Sequence, residues 1–195
     1  MNKYIEDYYP KAATMTDWVY LSQLVQADAY YHAVAAHRTN KPFCMGTLFW
    51  QFNDCYPSAS WSVLNYNHSS KAAAYTIQKV FKPVQAFARI RGDSLSITVV
   101  SDLLKPVTNE LIIKIITIDG NVLFQKTIAA ELGANSVQVI FNEPLNRLCG
   151  SNNRDNLYVQ YSFGKTKTDL PFVLLLGDIK KATLPRPTFE AKLTQ

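Results

Sequence analysis

The spacing of apolar positions changes once along this 195-residue chain, near Pro83. Before it, Trp18, Leu21, Leu24, Val25, Tyr31, Val34 and Ala35 recur at helical spacing, from Thr16 as N-cap with Asp17 in the first turn to Asn40-Lys41-Pro42. That pattern predicts a long amphipathic helix. The apolar run Met45 to Phe52 reads as a strand, and after an irregular loop an alanine-rich helix follows from about Ser70 through Phe81, stopped by Pro83. Helix, strand, loop, helix is the repeating order of a (β/α) barrel.

Beyond Pro83 the period shortens to two. Val84 to Arg91 leads through Gly92-Asp93 into Leu95 to Val100, and Leu111 to Ile118 leads through Asp119-Gly120-Asn121 into Val122 to Ile128. Further strands are expected at Val137 to Phe141, Leu157 to Phe163 and Phe172 to Leu176. Short, regularly spaced strands with glycine-containing turns point to an antiparallel sandwich of immunoglobulin type, although the Cys/Trp core pattern of antibody domains is absent. Leu184-Pro185-Arg186-Pro187 reads as a stiff, extended linker.

Composition narrows the function classes. With 48% hydrophobic and 12% aromatic residues the chain can build real cores and is not disordered. The net charge of +5 is spread through both halves among acids, so the contiguous basic stripe of a nucleic-acid groove is missing. No run of about 18 apolar residues suggests a membrane span, and no charged-then-apolar leader opens the sequence. Cys44, Cys55 and Cys149 lack metal-ligand spacing and read as buried free thiols. His32, His37 and His68 are too dispersed for a metal set, and no phosphate-cradling glycine loop or Ser/His/Asp arrangement stands out. No cofactor is expected.

Candidate chemistry concentrates in Gly46-Thr47-Leu48-Phe49-Trp50-Gln51-Phe52-Asn53-Asp54-Cys55-Tyr56-Pro57 and the following Ser60-Trp61-Ser62. An apolar strand here runs into an indole, amides, a carboxylate and a phenol, which packing alone does not require. If the strand alternates, Gly46, Leu48, Trp50 and Phe52 share one side and Gln51 faces the other. Trp50 near the strand end could stack on the C–H face of a sugar ring, or could be a core aromatic plugging the barrel. Asn53 fits turn chemistry better than a hydroxyl contact. Asp54 could hydrogen-bond a sugar hydroxyl or orient a neighbour, and Trp61 reads as a packing residue.

The run from Met45 to Ser62 resembles the last barrel strand of β-mannosidases, in the clan of sandwich-plus-barrel glycoside hydrolases whose signature is roughly G-T-L-[YF]-W-Q-[LF]-N-D-x-W-P followed by S-W-S. The likeness extends through Lys71-Ala72 and the Phe81-Lys82-Pro83-Val84 junction. It departs where Tyr56 replaces a tryptophan, and where Leu64-Asn65-Tyr66-Asn67-His68-Ser69-Ser70 replaces a stretch carrying an acid, an arginine and a tryptophan. Asn67-His68-Ser69 is also a glycosylation sequon.

The resemblance implies an α+β chain in two parts: a terminal piece of a (β/α)8 barrel over 1–83, then an immunoglobulin-like β-sandwich over 84–187, with 188–195 a linker or the start of another domain. It also implies that Trp50 lines the subsite of the cleaved sugar, with Asp54, Asn53 and Tyr56 beside it, and that both catalytic glutamates lie on earlier strands outside this sequence. The expected partners are β-linked mannosides or related carbohydrates and the N-terminal part of a parent enzyme, with neither nucleic acid nor membrane. Two other readings stay open. One is another member of the same clan, acting on galactosides, glucuronides or glucosaminides. The second is a scaffold or carbohydrate-binding sandwich, which would need exposed coplanar aromatics, for which Phe87, Tyr158, Tyr161 and Phe163 are the candidates.

Overall fold

The computed structural model describes residues 2–164 and 171–185. A short helix α1 (Asn2–Tyr8) precedes the long helix α2 (Met15–Arg38), and a third helix α3 (Ala72–Val80) follows the loop region. The N-cap of α2 is Thr14, not Thr16: Thr14 and Asp17 bond each other's backbone N–H groups in a capping box, which satisfies two orphan donors at once. Asp17 is therefore the third residue of the first turn, where an acid also suits the helix dipole.

Among the described residues seven antiparallel strands follow: β1 (Val84–Arg91), β2 (Ser94–Ser101), β3 (Val107–Thr117), β4 (Val122–Leu132), β5 (Val137–Pro144), β6 (Leu157–Phe163) and β7 (Phe172–Leu175). They form a three-stranded sheet in the order β1-β2-β5 and a four-stranded sheet in the order β4-β3-β6-β7. The β1–β2 hairpin turns through Gly92, whose φ of 57° lies in the region that glycine enters without a Cβ penalty. Alternation then sorts the side chains. Ala86, Ala88, Leu95, Ile97 and Val99 face Leu111, Ile113, Ile115, Leu157, Val159 and Tyr161 across a sealed core. Each large aliphatic group so buried contributes on the order of 1.5–3 kcal/mol.

The first sheet is covered on both faces. Phe87 and Val100 point away from the sandwich core and pack with Val34 and Ala35 of α2 and Val80 of α3. This is why β1 is buried continuously from Gln85 to Ala88 instead of at alternate positions. Two polar anchors join the helices to the sheets. The buried Arg38 donates to the carbonyls of Val80 (2.5 Å) and Lys82 (2.8 Å) and pairs with Asp102 at 2.7 Å, while Lys41 binds the other oxygen of Asp102.

Tyr31 is the second anchor. Its hydroxyl donates to the Ala88 carbonyl at 2.9 Å, accepts the Ala88 N–H at 3.1 Å, and meets the Tyr161 hydroxyl at 2.7 Å. Since Tyr31's single proton goes to Ala88, Tyr161 is the donor between the phenols. Burial holds both phenols above the ordinary tyrosine range, so both keep those protons. The backbone groups of Ala88 on the outer side of edge strand β1 are thereby satisfied by a side chain.

Several expectations need correction. Met45 to Phe52 forms no strand and joins no sheet; its surroundings hold only isolated bridges between Asn53 and Leu64 and between Leu64 and Ser70. A parallel strand needs neighbours to share its ladder, and among the described residues only the backbone of Val63 and Leu64 reaches it, donating to the Gln51 and Phe52 carbonyls at its very end. Phe87 and Tyr161 are core residues, each 1% exposed, so they cannot serve as an exposed sugar platform on the sandwich. Of the three cysteines only Cys149 is buried; Cys55 is exposed and Cys44 intermediate. Leu184 and Pro185 are the described part of the expected linker, and 188–195 lie outside the described residues.

The Tyr31 anchor gives a direct test. Tyr31→Phe keeps the ring contacts with Phe87 and Phe172 but leaves Ala88 and Tyr161 without their partner. Urea unfolding should show a loss of about 1–3 kcal/mol, whereas Tyr158→Phe, on the same strand as Tyr161, should cost less than about 0.5 kcal/mol.

Candidate functional site

From Gly46 to Phe52 exposure alternates from one residue to the next. On one side Thr47 bonds the His37 ring at 2.8 Å and Phe49 packs edge-on against Tyr30, with ring centres 5.6 Å apart, and against Phe81. That side is held by α2 and by the end of α3. On the other, Leu48 is 98% exposed, Trp50 71% and Phe52 62%. The Trp50 indole stands on an open apolar face, and its backbone carbonyl is held by the Tyr30 hydroxyl at 3.2 Å.

The loop beyond is organised around a buried carboxylate. Asp54 is 6% exposed; its oxygens accept from the hydroxyls of Ser60 and Ser62, the latter at 2.7 Å, and from the Lys71 ammonium at 3.4 Å. Lys71, itself 6% exposed, also donates to Ser62 Oγ at 2.7 Å and to the Ser60 carbonyl at 3.2 Å. Hydrogen bonds from Ser60 and Ser62, with the Lys71 charge beside them, hold the Asp54 carboxyl below the usual carboxylate range despite its burial. Of the two roles open to Asp54, this geometry serves the second, orienting neighbours.

The remaining site residues divide by access. Tyr56 is exposed, as is Asn53, whose amide donates to the Asp54 carbonyl at 3.2 Å in a local turn contact. Trp61, expected to pack, is 65% exposed. Ser60, Ser62 and Lys71 were legible as part of a motif, but their common role on Asp54 was not. The signal was present: serines either side of one residue can both turn toward one acceptor, and a lysine opening a helix can reach back to a loop acid. Among the described residues, no group of three or more His, Cys, Asp or Glu could hold a metal ion.

Comparison with known proteins gives a consistent set of relatives. The family described as Mannosidase Ig/CBM-like domain matches residues 93–171, within the sandwich. β-Mannosidase B of Emericella nidulans is 28% identical over 163 residues, which is 75% of this chain and 19% of that protein. The Aspergillus niger β-mannosidase B is 29% identical over 132 residues, covering 60% of this chain and 16% of its own length. Among solved structures, the β-D-mannosidase of Dictyoglomus thermophilum superposes with a TM-score of 0.81 at 25% identity, over 94% of this chain and 22% of that one. The exo-chitosanase of Amycolatopsis orientalis shares the fold, with a TM-score of 0.71 at 17% identity over 88% of this chain and 21% of its own. The chain spans about a fifth of the length of these proteins.

The depressed Asp54 ionisation predicts an acid-dependent stability. A carboxyl held lower in the folded than in the unfolded state adds stability above its unfolded pKa, about 3.9, and loses it as pH falls toward the folded value. Asp54→Asn should therefore lower the urea midpoint at pH 7, and the gap from the unmodified chain should narrow below about pH 4. A gap of constant size from pH 7 to pH 3 would contradict the ionic role.

Proposed function

Because the chain is β-mannosidase-like and its relatives belong to glycoside hydrolase family 2, we propose that it forms part of a retaining, exo-acting β-mannosidase in which residues 1–83 complete a (β/α)8 barrel and residues 84–187 form a buttressing sandwich. Residues 188–195 would begin a linker or a further domain. The observation that carries this reading is the exposed face of Leu48, Trp50 and Phe52, backed by helices on its other side. Apolar side chains so exposed in a row call for cover, and the inner wall of a barrel, closed by the rest of the parent chain, would provide it.

In that setting Trp50 offers its indole to the C–H face of the terminal sugar, with Tyr56 and Asn53 at the rim. Asp54 acts one step back: paired with Lys71, Ser60 and Ser62, it fixes the loop that carries those groups. Retaining hydrolysis needs two carboxyl groups about 5 Å apart across the scissile bond. Asp54 is the sole acid between Met45 and Ser62, and its oxygens are taken by Lys71 and the two serines. As the family resemblance implies, both catalytic carboxylates belong to the rest of the parent, and this chain by itself should not hydrolyse aryl β-mannosides.

Trp50→Ala tests the assignment. In this chain the exposed indole should be removable at a cost below about 0.5 kcal/mol in stability. In the parent enzyme the same change should lower kcat/KM on β-mannosides by about two to three powers of ten, the loss of an interaction made at the sugar where charge develops. A near-normal kcat/KM in the folded variant would end the sugar-platform reading.

A further inference from the structure

A second cavity lies between α2 and the loop after Pro57. It encloses about 470 Å³ and is lined from α2 by Trp18, Gln23 and Gln26 and from the loop side by Ala59, Trp61 and Lys71, among others. No residue from 45 to 57 lines it, so it is distinct from the Trp50 face.

Its chemistry is specific. Trp18 has its indole N–H committed to Asn2 Oδ1 at 2.6 Å, which leaves its ring as the surface it offers. Trp61 is 65% exposed and its carbonyl is gripped by Gln26 Nε2 at 2.6 Å, so the loop that carries the indole is tied to the helix. Gln23 accepts the Ala72 N–H through Oε1 at 3.1 Å. Both N–H donors of the Gln23 amide and the carbonyl acceptor of Gln26 remain without a partner among the described residues. Lys71 brings no free charge, because its three donors go to Ser62, the Ser60 carbonyl and Asp54.

Indole surface, open donors, an open acceptor and no unpaired charge select a neutral ring with apolar C–H faces and hydroxyl edges. A charged ligand would lose hydration without gaining a counter-charge, and a wholly apolar one would cover the open amide groups without bonding them. We propose that this cavity between α2 and the 58–61 loop is an accessory carbohydrate-binding site that takes a neutral pyranose unit of an oligosaccharide against Trp18 and Trp61. The choice of sugar probes rests on the function proposed above; the cavity shares Ser60 and Lys71 with the Asp54 network but no residue with the Trp50 face.

The three tryptophans of the chain give three indole N–H signals in a nitrogen-15 correlation spectrum, one for each location. Titration with β-1,4-mannotriose and, separately, cellotriose to about 10 mM would fill some nine-tenths of a site with a Kd near 1 mM. The Trp18 and Trp61 signals should shift and saturate with at least one of the two sugars. Trp61→Ala should weaken binding about tenfold, read from the Trp18 signal. Ala59→Phe, which fills the cavity from an exposed position and removes no wall, should abolish the shifts. In Trp50→Ala the Trp18 and Trp61 shifts should persist. Static Trp18 and Trp61 signals with both sugars, or shifts that survive Ala59→Phe, would overturn the proposal. Movement of the Trp50 signal alone would also overturn it while favouring the barrel-face subsite, so the two readings fail separately.

Discussion

The carboxylate of Asp54 is the fixed point of the loop region between α2 and α3. It is out of water, so its charge needs partners, and it finds them in Ser60, Ser62 and Lys71, which also bond one another. Those contacts close the loop from Asn53 to Lys71 onto the start of α3. Trp61 takes its position from the same closure, since its neighbours on both sides are bound to the acid. Trp50 is tethered separately, through the carbonyl that Tyr30 holds. The exposed indoles can then be presented on a fixed frame, which matters for any ring-stacking role, because a platform that must first be ordered loses part of its binding energy to entropy.

A different constraint ties that frame to the sandwich. The first sheet carries Phe87 and Val100 on its outer face, and α2 and α3 cover them through Val34, Ala35 and Val80. Burial alone would leave their relative position loosely set. Arg38 and Tyr31 specify it with directional bonds, one to the carbonyls ending α3 and to Asp102, the other to the outer side of β1 and to Tyr161. The sandwich thereby serves as a foundation for the helices that back the Trp50 segment. Its own side chains add no surface aromatic pair at Phe87 and Tyr161, which lie inside it.

The sequence determined what depends on local periodicity and on short motifs. Seven strands, their turns and the long helix follow from alternation, from glycine at the β1–β2 turn and from helical spacing, and the run from Gly46 to Ser62 carries its own resemblance to β-mannosidases. Even the alternating exposure of Leu48, Trp50 and Phe52 follows the period of two in the sequence.

Tertiary structure decided everything that depends on who stands opposite. Whether Met45 to Phe52 is a paired strand depends on a ladder from neighbours that no stretch of 45–52 can encode. Whether Asp54 meets solvent or an ammonium depends on Lys71 returning from 17 residues away. Phe87 and Tyr161 look like sugar platforms by residue type and are core by position, because only packing of the two sheets and the helical layer reveals which side of each strand is covered. Trp61 reverses that error: its motif reads as packing, and its place beside an open cavity leaves it exposed. Periodicity is a property of the chain, whereas burial is a property of pairs of surfaces, and only the folded molecule brings those surfaces together.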